Sequence, residues 1–135
     1  MQEFQRILLV DDSYTARIFL KTCFQMIGLN KSIFYECRNG KEAMEKLREM
    51  RNVDLVVSDL NMPVMDGFEL VQRILASPLM TNTSIMVVSS VGDSQKAQKI
   101  KEMGVATILS KPVNPARLLL ALEQISAQKD GVYER

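Results

Sequence analysis

Residues 55–67 read Leu-Val-Val-Ser-Asp-Leu-Asn-Met-Pro-Val-Met-Asp-Gly, an apolar run that ends on Ser58 and Asp59 and passes into a turn. A continuous run this short suits a strand covered on both faces better than a strand with one wet side. Beyond the turn, Leu70, Val71, Ile74 and Leu75 follow a helical period over 67–75 and stop before Ser77-Pro78. The unit is strand, acidic loop, helix.

That unit recurs in both directions. Apolar runs stand at Ile7–Val10, Ile85–Val88 and Ala106–Leu109, and a more mixed one at Ile33–Cys37 carries Tyr35 and Glu36 as an edge strand does. Helical stripes lie between them. Residues 14–27 place Ala16, Leu20, Cys23 and Ile27 on one face, with Gly28 where a helix-ending glycine belongs. Residues 41–51 carry Ala43, Leu47 and Met50, with Glu42 and Lys46 spaced to pair on the wet side. Residues 94–103 are thin in apolar groups (Ala97, Ile100, Met103) and end at Gly104. Residues 115–127 begin with a proline suited to a first helical turn and carry Leu118, Leu119, Leu122 and Ile125. Strand and helix alternate five times, with connections too long for hairpins. The expected fold is α/β: a five-stranded parallel sheet with helices on both faces.

Composition bounds the rest. The chain has 135 residues, 47% of them hydrophobic and 24% charged, which fits one globular domain and excludes a disordered chain or a membrane span. Lys plus Arg number 17 and Asp plus Glu 16, so no net field draws nucleic acid or an anionic membrane. Histidine is absent, which removes imidazole acid–base chemistry and most zinc sites. Cys23 and Cys37 lack metal or redox spacing and are expected to be buried, reduced thiols in a cytoplasmic protein. No apolar stretch approaches a signal or spanning segment. Residues 128–135 form a short polar tail.

In an open parallel sheet the ligand site lies at the carboxyl ends of the strands. There the sequence places Asp11 and Asp12, Ser58 and Asp59, Ser89 and Ser90, and Ser110, Lys111 and Pro112. Each alone has an ordinary structural use as a cap, a turn residue or a surface charge. Together, three carboxylates repel and need a cation, a lysine can neutralise an anionic oxygen, and a small hydroxyl can bond another. Carboxylates with oxygen donors nearby suit a hard divalent cation, Mg²⁺ first among them. A carboxylate can itself attack phosphorus. The set points to phosphoryl chemistry.

Asp11-Asp12-Ser13, the Ser58–Gly67 stretch, Val88-Ser89-Ser90 and Ser110-Lys111-Pro112 resemble the receiver domain of bacterial two-component response regulators. The spacings, 30 residues from Asp59 to Ser89 and 22 from Ser89 to Lys111, match as well. The resemblance spans about residues 5–127 and is nearest the single-domain, CheY-like members, with their flavodoxin-like (βα)5 fold. It implies that Asp59 accepts a phosphoryl group from the phosphohistidine of a histidine kinase or phosphotransfer protein. It further implies Mg²⁺ held by Asp12 directly, Asp11 mainly through water, Asp59 and the Asn61 backbone carbonyl. Lys111 would contact the phosphoryl group before a cis Lys111–Pro112 bond, and Ser89 would move inward as the switch. The output face implied is the fourth helix, fifth strand and fifth helix, about residues 93–125, on a monomer or weak dimer.

Two positions depart from the family's pattern. Ile108 stands where an aromatic residue usually swings with the hydroxyl, so aromatic coupling is not expected. Val91 is apolar where many relatives are polar, and is expected to limit water access to the phosphoryl group. Leu120 should point away from the core. Tyr14 stands where the first helix usually meets the phosphotransfer partner. The competing readings are a phosphorylation-independent adaptor, a phosphate sink and an aspartate-nucleophile phosphatase. The last would need an acid two residues after Asp59, where Asn61 cannot serve. DNA binding would need a helix-turn-helix segment or a basic face, and neither is present.

Overall fold

The computed structural model describes residues 4–105 and 107–129. Its elements alternate as β1 (Arg6–Val10), α1 (Tyr14–Met26), β2 (Ile33–Cys37), α2 (Gly40–Met50), β3 (Leu55–Asp59), α3 (Gly67–Leu75), β4 (Ser84–Ser89), α4 (Ser94–Glu102), β5 (Thr107–Ser110) and α5 (Pro115–Lys129). The strands form one parallel sheet in the order β2-β1-β3-β4-β5, the α/β architecture expected.

Alternation along the strands divides the core into two layers. Ile7, Leu9, Leu55, Val57, Met86, Val88 and Leu109 pack against Leu20, Cys23 and Phe24 of α1 and Leu118, Leu122 and Ile125 of α5. Leu8, Val10, Val56, Ile85 and Val87 face Ala43, Met44 and Leu47 of α2, Leu70, Val71 and Ile74 of α3, and Ile100 of α4. Because β1 and β3 are covered on both faces, their sequences are apolar at consecutive positions. β2 lies at an edge and is mostly half-exposed, as its mixed composition suggested.

β5 is described from Thr107 onward, in line with the expected run, whose first residue, Ala106, lies outside the described residues. Several details depart from the sequence reading. α5 continues to Lys129, two residues into the stretch expected as tail, while 130–135 lie outside the described residues. Glu42 does not pair with Lys46. Arg38, arriving from just before α2, takes its carboxylate at 2.8 Å, and Lys46 reaches Glu49 at 4.0 Å. Ala16 and Ile27 are only half-buried, and the charged Arg17 is buried on α1 beside Leu20 and Phe24. Gly28 follows α1 with φ +109, the left-handed conformation its position calls for. Leu120 is exposed, as expected. Among the described residues no helix is long and apolar enough to cross a membrane.

The strand order reverses at β1, whose neighbours are β2 and β3. The crevice at the carboxyl ends of β1 and β3 is therefore the fold's natural ligand position.

Candidate functional site

β1 delivers the first two carboxylates. The Asp11 amide continues the ladder to the Cys37 carbonyl at 3.0 Å, so Asp11 is held as firmly as the strand. Its side chain turns back to accept the Ser13 amide at 2.9 Å, while the Ser13 hydroxyl caps α1 by accepting the Ala16 amide at 3.2 Å. The Asp11 carbonyl accepts a 2.6 Å bond from Arg17, whose Nε reaches Glu36 of β2 at 2.7 Å. One buried guanidinium thus clamps the ends of β1 and β2 under the site. Sequence reasoning missed Arg17. The available signal was its place on the apolar stripe with Leu20 and Phe24, where a charge needs a buried partner.

β3 delivers Asp59. The Ser58 hydroxyl donates to the Asp59 carbonyl at 2.8 Å, and the Gly67 amide donates to the Leu60 carbonyl at 2.9 Å. A Cβ at Gly67 would strike the Asp59 carbonyl and lie 2.9 Å from Leu60 Cα, so α3 can start this close only from glycine. Asp66 caps α3 through the Glu69 amide at 2.9 Å. Within the same turn Val64 adopts φ +70, an unfavourable conformation for a branched side chain. The Asn-Met-Pro-Val-Met-Asp-Gly stretch is thus a tight return that brings the α3 N-terminus against the end of β3.

β4 and β5 close the other side. Ser89, buried at the end of β4, accepts the Lys111 amide at its carbonyl at 2.8 Å, fastening the two strand ends together. The Lys111–Pro112 bond is cis, as expected. Lys111 Nζ lies 3.2 Å from Asp59 Oδ1. One carboxylate oxygen from each of Asp11, Asp12 and Asp59 falls within 4.8 Å of the others.

This cluster is electrostatically uncomfortable without a cation. Burial pushes the Asp59 carboxyl above the usual carboxylate range, while the Lys111 ammonium pulls it back. Burial also pushes Asp11 up and the Asp59 charge adds to the push, opposed by the Ser13 amide and by Lys111. A spacing of this kind, with one lysine for three acids, suits a hard divalent cation. Asp12 is exposed and lines an open cleft of about 440 Å³ with Asn61, Met62, Pro63, Asp66 and Lys96, which gives a metal or phosphoryl donor access.

Asn61 is placed beside the acids, with its side-chain amide taken by Asp93 at 2.9 and 3.0 Å. Asp93 also accepts the Ser90 amide at 2.9 Å, and these donors, the Asn61 amide first, hold its carboxyl below the usual range. Asp93 was a second omission. Its three-residue spacing from Ser90 is that of a capping box, which was the available signal. Val91, expected to limit water access to the phosphoryl group, is 93% exposed. Ile108 is half-buried against the α2, α3 and α4 side of the core.

Residues 7–123 match the family described as the response regulator receiver domain. The chain belongs to that family. The receiver is 27% identical to a probable chemotaxis protein CheY of Rhizobium etli, covering 89% of this chain and 91% of that one. It is 29% identical to the chemotaxis protein CheY homolog of Campylobacter jejuni strain 81-176, covering 93% and 95%. Among solved structures it is similar to the chemotaxis response regulator CheY4 of Vibrio cholerae, with TM-score 0.77, 32% identity and coverage of 90% and 98%. The receiver is thus CheY-like, with the flavodoxin-like fold of a signalling domain.

Proposed function

We propose that this receiver takes a phosphoryl group from a phosphohistidine donor onto Asp59, in a Mg²⁺-dependent reaction, and thereby switches a protein-binding surface. The observation that carries the reading is Asp59 itself: buried at the end of β3, 3.2 Å from Lys111 and within 4.8 Å of two further carboxylates. In the reaction an Asp59 carboxylate oxygen forms the new P–O bond. The P–N bond to the donor imidazole breaks with its electron pair staying on that nitrogen, and because the ring's other nitrogen already carries a proton the donor leaves as neutral imidazole. Asp11, Asp12, Asp59 and the Asn61 backbone carbonyl would hold the Mg²⁺, which neutralises charge on the transferring oxygens. Lys111 is positioned to compensate a phosphoryl oxygen as charge moves onto Asp59.

The donor is the phosphohistidine of a histidine kinase or phosphotransfer protein in the cytoplasm, meeting the receiver near the exposed Tyr14 on α1. The added dianionic charge recruits the Ser89 hydroxyl and biases the surface at about residues 93–125, where the exposed Leu120 lies. Full conversion of a mostly inactive ensemble needs about 5.5 kcal/mol of differential stabilisation. Charge-assisted bonds from Ser89 and Lys111, at roughly 1.5–3 kcal/mol each, supply much of it. The half-buried Ile108 cannot add a phenol's bond, which favours a phosphate sink as the second reading.

Incubation with Mg²⁺ and acetyl phosphate, followed by intact mass measurement, is the direct test. One added phosphoryl group is expected, lost in Asp59→Asn and in EDTA. No adduct where a control receiver is labelled, together with no response to beryllofluoride, would leave a phosphorylation-independent adaptor.

A further inference from the structure

At the opposite edge of the sheet, the C-terminal ends of α2 and α3 flank a cleft of about 410 Å³. Met44, Ala76, Leu79 and Met80 give it apolar lining, with Ser77 among them and Arg48, Arg51 and Arg73 around it. Leu79 is 56% exposed. We infer that this cleft is a docking site for an acidic protein segment carrying an apolar anchor residue, separate from the phosphoacceptor edge.

Two of these three arginines, Arg48 and Arg51, are left without a side-chain partner among the described residues. Arg17 is committed to Glu36, Arg38 to Glu42, Arg117 to the Ser110 and Pro112 carbonyls, and Arg73 to Glu69 at 2.8 Å. Among the described residues, the side chains of Arg48 and Arg51 make no ion pair and no hydrogen bond. Glu49 lies 4.0 Å from Lys46, Glu69 is paired with Arg73, and Asp54 accepts the Gln5 and Arg6 amides, so none of these three is bonded to Arg48 or Arg51. Two unneutralised guanidinium groups therefore meet beside exposed apolar surface in a chain whose formal net charge is only +1.

Helix-end electrostatics account for part of this arrangement. Arg48 and Arg73 lie in the last turns of their helices, where cations interact favourably with the carbonyl ends. Arg51 lies beyond the helix, as the α2 C-cap with φ +63, where glycine or asparagine is the less costly residue. Helix stability does not call for arginine there. What the cleft offers is two forked donors for carboxylates around a pocket with room for a leucine-sized side chain. A purely ionic ligand would leave the apolar lining unused, and a purely apolar one would leave the arginines unpaired. Charge complementarity with an apolar centre specifies an acidic segment interrupted by leucine or a similar residue.

The site is also remote from the chemistry. Arg51 precedes the start of β3 and Leu79 precedes the start of β4, whereas Asp59 and Ser89 end those strands. A segment seated there leaves the acidic cluster open. It would tether the receiver to its partner in either phosphorylation state.

The test uses the full chain and a fluorescein-labelled peptide of glutamates interrupted by two leucines, with fluorescence anisotropy at low salt. Wild type is expected to bind. Arg48→Glu with Arg51→Glu should weaken binding by about tenfold or more, while a control reversal, Lys31→Glu with Lys41→Glu, should change it by less than about twofold. Both positions are exposed, so circular dichroism should show the folded state retained. Methyl signals of Met44 and Met80 should shift on titration, with or without beryllofluoride. The proposal is overturned if the double reversal binds as wild type does, or if a leucine-free peptide binds equally well. Displacement by duplex DNA at matched charge would assign the cleft to polyanions and overturn it too.

Discussion

Gly67 shows how little freedom the site allows a single residue. The Cβ of an alanine there would meet the Asp59 carbonyl and the Leu60 Cα, both backbone atoms in a strand end covered on two sides. Neither can retreat without moving the Asp59 carboxylate relative to Lys111. Gly67→Ala is therefore expected to destabilise the fold by about 3 kcal/mol, the upper part of the range for overpacking, and to impair phosphoryl acceptance in the molecules that remain folded. Gly92 supplies the contrast, since a Cβ there meets nothing within 4 Å. Gly92→Ala should stay within about 0.5 kcal/mol of wild type. Urea denaturation of the two variants checks both, and equal midpoints would show that the α3 N-terminus does not press on Asp59.

Among the elements, α4 is the most weakly anchored of the helices that cover the α2 face. Ile100 is its one buried residue, with Ala97 half-buried beside it, whereas α2 buries Gly40, Ala43, Met44 and Leu47. Few buried contacts mean a low local opening free energy. Amides of α4 are expected to exchange hydrogen faster than those of α2, and Ile100→Ala, a substitution of a type that costs about 2–5 kcal/mol in a core, should abolish α4 protection while α2 keeps its own. Exchange measured by mass spectrometry decides it; equal protection of α2 and α4 in the wild type would contradict the expectation. That thinness was visible in the sequence, because a short segment with three apolar residues cannot form a broad stripe. The two-sided strands were legible for the complementary reason, since Leu8, Leu9, Val56 and Val57 are apolar at consecutive positions. Less visible were features set by tertiary contact. Arg38 lies outside any helix, so nothing in helical spacing shows that it takes Glu42 from Lys46. Arg17 finds its partner only because β2 places Glu36 against it, a contact that α1's own sequence does not reveal. The acids, Lys111 and Ser89 were legible as strand-end residues, but the Asn61–Asp93 link joins two loops whose approach only the fold determines.

For the whole molecule, the acidic cluster and Cys37 act on stability from opposite ends of the pH scale. Asp11 and Asp59 have folded values above the ordinary 3.8, so the folded state holds their protons more tightly than the unfolded chain. Their contribution is complete below about 3.8 and is lost as pH rises through the raised folded values. Glu42 and Asp93 run the other way, being lowered by Arg38 and by Asn61, so their support fades as pH falls through their folded values. Burial raises the Cys37 thiol from 9.0 to about 11. The unfolded thiol ionises first, and stability should decline between those values. Metal-free protein is thus expected to be most stable in mild acid, lower and flat across neutrality, and lower again above pH 9. Mg²⁺ needs the carboxylates ionised, so it should raise the neutral plateau and leave the acid limb unchanged, adding about 2.7 kcal/mol at a hundred times its Kd. Asp11→Asn should raise the metal-free plateau and abolish the Mg²⁺ increment, and Cys37→Ala should make the alkaline limb shallower, leaving the part due to Cys23, whose thiol burial also raises. Urea midpoints across pH, in EDTA and in Mg²⁺, test all three. If Mg²⁺ stabilised Asp11→Asn as much as wild type, the cation would be bound somewhere other than the ends of β1 and β3.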